Sequence, residues 1–153
     1  MYGTNRARLM KVELRPLSAV STHMPCSWRE YVANVFLESG HVNRAAIVGQ
    51  DGRRWAASPA FDVTSSEVQA IQDGFVDPSS IRTLGISLSN KRYTCTRQDS
   101  TVMVGRDSAT GFGCVIYKCK LCLLIGVYEE SGHPGGCYSM LVKVGDYLKD
   151  QGY

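Results

Sequence analysis

The stretch that decides the fold is Ala45-Ala46-Ile47-Val48-Gly49-Gln50-Asp51-Gly52-Arg53-Arg54-Trp55-Ala56-Ala57-Ser58. A short apolar run leads into Asp51-Gly52, a dipeptide typical of type I′ hairpin turns, because glycine adopts positive φ at little cost. The sequence therefore predicts two antiparallel strands, over Ala45–Gln50 and Arg53–Ala57. Trp55 follows the turn directly, at a position where a large ring can remain partly exposed.

Three helices are predicted around this hairpin. Ser27-Trp28-Arg29-Glu30 has the pattern of a capping box, and the apolar residues that follow it at helical spacing predict a helix over Ser27–Glu38. A second capping box, Thr64-Ser65-Ser66-Glu67, starts a helix that ends before Asp77-Pro78. An apolar stripe predicts the third helix over Cys137–Lys149, after a loop.

Five short runs between the second and third helices have the character of β-strands and are separated by turn residues. They are Thr83–Leu88, Arg92–Arg97, Thr101–Gly105, Gly113–Cys119 and Leu121–Tyr128. Such close spacing predicts an antiparallel meander. The predicted fold class is therefore α+β, with a central antiparallel β-sheet sandwiched between helices.

The composition fits one globular domain. The chain has 153 residues, of which 44% are hydrophobic, and its longest apolar run, Leu121–Val127, is too short to span a bilayer. A net charge of +3 permits an anionic partner without requiring one. No secretory signal is visible, so the six cysteines are predicted to be reduced thiols in the cytosol.

The first 25 residues differ from the rest because they are basic and contain a single acid, Glu13. This composition favours an accessory N-terminal extension over residues 1–25, with the folded domain over residues 26–153. The alternatives are a mitochondrial presequence, which can be basic, acid-poor and serine-containing, and sequence upstream of a start at Met24.

Aromatic residues near both ends of the chain form the first candidate site. Trp28 and Tyr31 are three residues apart on the first helix, and Tyr147 and Tyr153 close the last one. If the terminal helices lie side by side on one face of the sheet, these rings can meet Trp55. Partly exposed aromatic rings bind polyproline II segments, which are already extended and lose little entropy on binding. The alternative is that Trp28 and Tyr31 belong to the core.

Basic residues on the meander form the second candidate site. Adjacent antiparallel strands can gather several of them on one surface, namely Arg92, Arg97, Arg106, Lys118 and Lys120. Such a surface suits an acidic protein or a phosphoinositide headgroup. The alternative is an ordinary solvated face.

Other chemistry has weaker support in the sequence. The spacing Cys119-x2-Cys122-x10-His133-x3-Cys137 superficially suggests zinc. However, an offset of three along a strand points side chains to opposite faces, so buried thiols are the preferred interpretation. The sequence has no nucleophile elbow, P-loop or dinucleotide fingerprint, so neither an enzyme nor a cofactor is predicted.

Three segments in the same order resemble the profilin family, and the last of them is most similar to plant-like members. They are Ser27-Trp28-x-x-Tyr31-Val32, then Ala45–Gly52 with Trp55-Ala56, and finally Gly126–Glu130, Pro134-Gly135 and Gly145–Gly152. The resemblance runs from about Ser27 to Tyr153. It implies a small cytoplasmic protein of the cytoskeleton, with its terminal helices packed together on one face of the sheet.

The resemblance also implies functions for the two candidate sites. It implies a polyproline groove that binds proline-rich proteins such as formins, formed by Trp28, Tyr31, Trp55, Tyr147 and Tyr153. It implies an actin-monomer surface formed by Arg92, Arg97, Arg106, Lys118, His133 and Gly135. Faster nucleotide exchange on actin and phosphoinositide binding are further implied. The rival hypothesis is a small-molecule sensor on a similar scaffold, which predicts that Trp28 and Trp55 are buried.

Overall fold

The computed structural model describes residues 27–129 and 133–153, so the predicted N-terminal extension lies outside the described residues. Within them, seven strands form one antiparallel sheet: β1 (Arg44–Gly49), β2 (Arg54–Ala57), β3 (Ile86–Leu88), β4 (Lys91–Gln98), β5 (Val102–Arg106), β6 (Gly113–Lys118) and β7 (Cys122–Tyr128). Their order is β2-β1-β7-β6-β5-β4-β3, so the hairpin of β1 and β2 joins the meander through β7. The predicted α+β class with a central antiparallel sheet is confirmed.

The predicted hairpin is also confirmed, although its turn differs in type. Gly52 has a φ of 90°, whereas Asp51 does not have the positive φ that a type I′ turn requires. Instead, the Asp51 carboxylate accepts a hydrogen bond from the Arg53 N–H at 2.9 Å, which satisfies that donor locally. The chain therefore reverses over a slightly longer loop, and β2 begins one residue later than predicted.

The first helix begins as α1 (Trp28–Glu30), continues as a π-helical segment over Tyr31–Phe36 and ends as a 3₁₀ turn over Leu37–Ser39. Ser27 caps it as predicted, because its hydroxyl accepts the Glu30 N–H at 3.2 Å. The remaining helices are α2 (Ser65–Val76), α3 (Ser79–Leu84) and α4 (Pro134–Asp150). No helix in the two described ranges combines the length and apolar character needed to cross a membrane.

The sheet separates two apolar clusters. Along β7, Leu124 faces the terminal helices α1 and α4, whereas Leu123 and Ile125 face α2 and α3. This division follows from the alternation of side chains along a strand. The terminal helices therefore pack on the same face of the sheet, as expected.

One helix, α3, was not predicted, and another helix begins earlier than predicted. The region of Thr83 and Leu84 is the end of α3 rather than a strand, because the Asp77 carboxylate accepts the Ser79 N–H at 3.1 Å and starts a helical turn. Helix α4 begins at Pro134 instead of Cys137. Its Pro-Gly-Gly start has the composition of a loop, but proline is well suited to the first turn of a helix.

The Glu67 carboxylate joins the start of α2 to the turn between β3 and β4. Its Oε1 accepts the N–H groups of Thr64 and Ser89, both at 3.0 Å. Its Oε2 accepts the Ser87 hydroxyl at 2.8 Å and the Asn90 N–H at 3.0 Å. Ser89 and Asn90 have φ values of 50° and 69°, which are uncommon for residues other than glycine. The carboxylate thus stabilises a strained turn, and the Thr64 capping box is confirmed.

We expect Glu67→Gln to lower the free energy of unfolding at neutral pH by about 2 kcal/mol, because the amide nitrogen would face a donor that needs an acceptor. Partial burial raises the pKa of Glu67, but its hydrogen bonds outweigh that effect and hold the pKa below its usual value. The stabilisation is therefore present above the pKa of the unfolded carboxyl and is lost as the pH falls through the folded one. Urea unfolding of both proteins should show a difference that shrinks on acidification.

The matched control for this measurement is Asp73→Asn. It makes the same change of carboxylate to amide on an exposed position of the same helix, where the carboxylate contacts Gln69 at 2.9 Å. We expect an effect below about 0.5 kcal/mol there. A difference between wild type and Glu67→Gln that did not change with pH would contradict the role of the charge.

Candidate functional site

Three aromatic side chains meet around Trp28, and we call Trp28, Tyr31, Trp55 and Tyr153 the aromatic surface. The Trp28 ring centroid lies 4.9 Å from that of Trp55, 5.0 Å from that of Tyr153 and 5.8 Å from that of Tyr31. The Tyr153 ring meets Trp28 edge-on, at 87°, a favourable arrangement for aromatic pairs. The predicted meeting of rings from the first helix, the hairpin and the C-terminus is therefore present.

Backbone contacts fix these rings in place. Trp55 lies across β1 at Gly49, where a Cβ atom would come within 3.0 Å of the indole Nε1. Tyr153 is held by two backbone hydrogen bonds: its N–H donates to the Leu148 carbonyl at 2.9 Å, and its carbonyl accepts the Leu121 N–H. The C-terminal residue is therefore attached to the turn between β6 and β7, and not only to its own helix.

The exposure of these aromatic residues differs. Trp28, Trp55 and Tyr153 are half-buried, whereas Tyr31 is only 4% exposed and belongs to the core. Tyr147 is also half-buried and packs against the same apolar cluster. The core alternative thus holds for Tyr31 but not for Trp28. The sensor hypothesis, which required buried Trp28 and Trp55, is contradicted at both positions.

A second surface, which we call the basic surface, consists of Arg92, Arg97 and Arg106. All three side chains are exposed. Thr94 pairs with Arg106 and Arg97 pairs with Val104, with a bulge between Cys95 and Arg97. The extra residue keeps Arg97 on the same face as Arg92, which an unbroken strand would have prevented. Side-chain alternation places this face on the side of the sheet that carries α4.

Contacts with α4 extend the basic surface to the start of that helix. The Arg97 guanidinium lies 5.0 Å from the ring centroid of Tyr138, a cation–π contact. The helix begins one turn earlier, where His133 Nδ1 accepts the Gly136 N–H at 3.0 Å and acts as the N-cap. His133 and Gly135 are exposed at this end. Arg97 therefore contacts the helix whose start carries His133 and Gly135.

Lys118 lies elsewhere. It is the last residue of β6 and its ammonium group lies 5.6 Å from the ring centroid of Phe75, on the face covered by α2. The structure therefore does not bring Lys118 together with Arg92, Arg97 and Arg106. The sequence did not show that Lys118 and the three arginines lie on opposite faces of the sheet, because the register of each strand decides which face a side chain takes.

Two residues next to these positions, His41 and Tyr138, were not predicted from the sequence. The His41 ring centroid lies 6.2 Å from that of His133, in space left by the absent side chain of Gly136. His41 had no local signal, because its position depends on how the chain before β1 meets α4. Tyr138 could have been predicted, because residues three apart on a helix are neighbours on its surface and Tyr138 follows Gly135 by three.

The zinc spacing does not form a site. Cys119 and Cys122 lie at one end of β7, whereas the Cys137 side chain packs at Gly126, four residues along that strand and roughly 13 Å away. In the part of the chain that the structure describes, no three His, Cys, Asp or Glu side chains group as metal ligands. The expectation that Cys119 and Cys122 point to opposite faces was wrong, because a two-residue turn brings them opposite each other.

The two surfaces are far apart on the sheet. Trp55 is on β2, at one edge, and the arginines are on β4 and β5, towards the other edge. Five strand spacings separate β2 from β4, which is roughly 24 Å measured along the sheet. Ligands on the two surfaces would therefore not need to compete.

Comparisons with known proteins agree in sequence and in structure. A family model described as Profilin matches residues 26–153. Profilin-2 of Acanthamoeba castellanii is 35% identical over 127 residues, which are 83% of this chain and 99% of that relative. The crystal structure of A. castellanii profilin II matches with a TM-score of 0.78 and 35% identity, over 83% of this chain and 100% of that one. Mouse profilin IIa, solved in complex with a double repeat from the FH1 domain of mDia1, matches with a TM-score of 0.68 and 25% identity, over 82% of this chain and 99% of that one.

Proposed function

Since this chain belongs to the profilin family, we propose that it binds proline-rich segments through its aromatic surface and monomeric actin through its basic surface. The observation that carries the proposal is the half-exposed cluster of Trp28, Trp55 and Tyr153, which three separate parts of the chain build together. Single half-exposed rings are common, but aromatic rings gathered into one exposed patch are typical of interaction sites.

The aromatic surface suits a polyproline II ligand for geometric reasons. Its rings meet at 37° and 87°, so flat faces and edges alternate and leave places for proline rings between them. The indole N–H and phenol O–H groups of such rings can donate to proline carbonyls, which lack a partner within their own segment. The mouse relative solved with an FH1 repeat supports this assignment, and formin-like proline-rich regions are the proposed partners.

The basic surface suits an acidic protein partner. Arg92, Arg97 and Arg106 present three cations on an exposed sheet face, and α4 adds His133 and Gly135 beside them. Arginine residues at such positions form bidentate contacts with carboxylates and contribute strongly at interfaces. Lys118, on the other face, is not part of the proposed surface.

With both ligands bound, the protein would deliver actin monomers to sites of filament growth marked by proline-rich proteins. The separation of about 24 Å between the surfaces allows one molecule to hold both. We further propose that it speeds nucleotide exchange by favouring an open form of actin, which is a shift in population and not covalent catalysis. A fluorescent-nucleotide release assay on actin, with and without the protein, tests this step.

Arg97→Ala is expected to weaken binding to monomeric actin about tenfold, a loss of ~1.4 kcal/mol, because it removes a charge held at the centre of the surface by Tyr138 and Asp99. Oligoproline binding should be unchanged. The measurement is sedimentation or fluorescence titration with labelled actin, in parallel with calorimetry against the peptide. Arg53→Ala, which removes an equally exposed charge beside β2 at the opposite edge, is the matched control.

Unchanged actin affinity of a folded Arg97→Ala variant would contradict the proposed actin surface and leave the proline-rich function standing. A phosphoinositide headgroup is a second ligand for the same arginines, since its phosphates would also accept bidentate contacts. Co-sedimentation of wild type and Arg97→Ala with vesicles that contain phosphatidylinositol bisphosphate tests it, and equal binding to neutral vesicles would exclude it.

A further inference from the structure

The turn between β6 and β7 places two thiols against each other. Cys119 and Cys122 flank the dipeptide Lys120-Leu121, and the Cys119 N–H donates to the Cys122 carbonyl at 2.9 Å. Both side chains belong to the apolar cluster beneath α4, and the Cys119 Sγ–H donates to the Gly145 carbonyl at 3.9 Å. Facing residues of a hydrogen-bonded antiparallel pair have Cα atoms about 5.5 Å apart, which is within the usual range for a disulfide. A bond between the sulfurs therefore requires only a local adjustment.

The same turn holds the C-terminal part of the aromatic surface. The Leu121 N–H donates to the carbonyl of Tyr153, whose ring packs edge-on against Trp28. Gln50, at the end of β1, donates through Nε2 to the Cys119 carbonyl at 2.7 Å and through its N–H to the Leu121 carbonyl at 3.0 Å. A change in the shape of this turn is therefore transmitted directly to Tyr153.

We propose that Cys119 and Cys122 are an oxidisable dithiol, and that a small-molecule disulfide converts them into an internal disulfide that loosens the aromatic surface at Tyr153. The effect on ligand affinity rests on the proposed proline-rich function, whereas the formation of the disulfide does not.

The reaction balances as two exchange steps. The Cys119 thiol gives its proton to solvent and attacks one sulfur of the small-molecule disulfide, which breaks that bond and releases one thiol after it takes up a proton. The Cys122 thiol then loses its proton, attacks the Cys119 sulfur and displaces the second small thiol. Two electrons and two protons pass from the cysteines to the oxidant. Cys119 reacts first because it is 4% exposed and lies next to the exposed turn, whereas Cys122 is fully buried.

The reaction should be slow at neutral pH. The neighbouring Cys122 thiol and burial both raise the pKa of the Cys119 thiol, so little thiolate is present until the pH rises or the turn opens. Once formed, the S–S bond of about 2.05 Å is much shorter than the contact between two unbonded sulfur atoms, so the Cβ atoms approach each other and the local adjustment falls on the backbone of Lys120 and Leu121. That shift displaces the donor that holds Tyr153.

Oxidised glutathione is the probe for the covalent step. The full chain is incubated with it at mildly alkaline pH and then digested with trypsin without reduction. Cleavage after Lys118 and Lys120 separates the two cysteines, so the internal disulfide is recognised as Cys119-Lys120 joined to the fragment that begins at Leu121. We expect this joined product in wild type and only a glutathione adduct in Cys122→Ser. Its absence from oxidised wild type would overturn the proposal.

The coupling to the aromatic surface has two independent readouts. The chain has two tryptophans, Trp28 and Trp55, and both belong to the aromatic surface, so a change in their emission on oxidation reports on it without any ligand. Oligoproline affinity should fall about fivefold in the oxidised protein, the factor expected for the loss of one hydrogen bond, and should return on reduction. The double variant Cys119→Ser/Cys122→Ser should show neither change.

Each outcome of these measurements is decisive. A joined product with unaltered emission and affinity would overturn the coupling to Tyr153. If the reduced protein did not bind oligoproline at all, the proposed function would fail, while the joined product and the tryptophan emission would still decide the present inference.

Discussion

Trp28→Ala is expected to weaken oligoproline binding about 30-fold or more, which corresponds to a loss of at least ~2 kcal/mol. Trp28 is the one ring that contacts all three others, at 4.9, 5.0 and 5.8 Å. Its removal therefore takes away its own contact with the ligand and also the surface against which Trp55 and Tyr153 are ordered. Aromatic residues at the centre of an interface, which lose their solvent when the ligand binds, typically have the largest effects.

Isothermal calorimetry with an oligoproline peptide measures this loss, and thermal unfolding shows whether the variant is folded. Phe112→Ala is the matched control, since it removes another half-buried aromatic ring, one that packs near Lys91 and away from the aromatic surface. Wild-type affinity in a folded Trp28→Ala variant would mean that the chain has the family's fold but uses this surface differently.

Local sequence signals predicted the positions of Trp28 and Trp55, because each depends on short-range chemistry. The Asp51-Gly52 turn places Trp55, and the Ser27 cap places Trp28 on the first turn of a helix. The resemblance to profilins added the information that the terminal helices share a face. What the sequence could not provide was the degree of burial, which made Tyr31 a core residue and left Trp28 open.

The basic surface was harder to predict because its composition depends on strand register. A bulge after Cys95 keeps Arg97 on the face of Arg92, and no residue in that segment signals a bulge. Lys118 is on the opposite face because of its position in β6. The thiol pair was misjudged for a related reason: the three-residue offset of Cys119 and Cys122 was treated as part of a strand, whereas the chain reverses between them.

The packing of α4 on the sheet was not predictable from local signals either, and it leads to the second large effect. Gly145 is buried at the contact with β6, where a Cβ atom would overlap the ring of Tyr117. That ring cannot easily move, because the Tyr117 hydroxyl donates to the Asp146 carboxylate. Lys149 Nζ in turn donates to the Tyr117 hydroxyl oxygen at 3.4 Å. Helix α4 thus holds Tyr117 through neighbouring polar groups while glycine leaves room for the ring.

We expect Gly145→Ala to lower the free energy of unfolding by about 3 kcal/mol, the upper end of the usual cost of overpacking a core. The sign is informative, because helix propensity alone predicts the opposite: alanine favours a helix interior by about 1 kcal/mol over glycine. Urea unfolding measures the change, and Gly135→Ala on the same helix is the matched control. There a Cβ atom would meet only the edge of the exposed His133 ring, at 3.3 Å, so the effect should be small.

A double-mutant cycle with Tyr117→Leu separates steric overlap from other causes. If the ring is what alanine meets, Gly145→Ala should cost much less in the Tyr117→Leu background, with a coupling energy of about 1 kcal/mol or more between residues in direct contact. If the free-energy changes of the two substitutions were simply additive, the cost of Gly145→Ala would come from contacts other than the Tyr117 ring. Because Leu148 and Tyr153 follow on the same segment, a displaced α4 should also weaken oligoproline binding, whereas Gly135→Ala should leave it intact. The stability of one helix–sheet contact would thereby determine whether the aromatic surface forms.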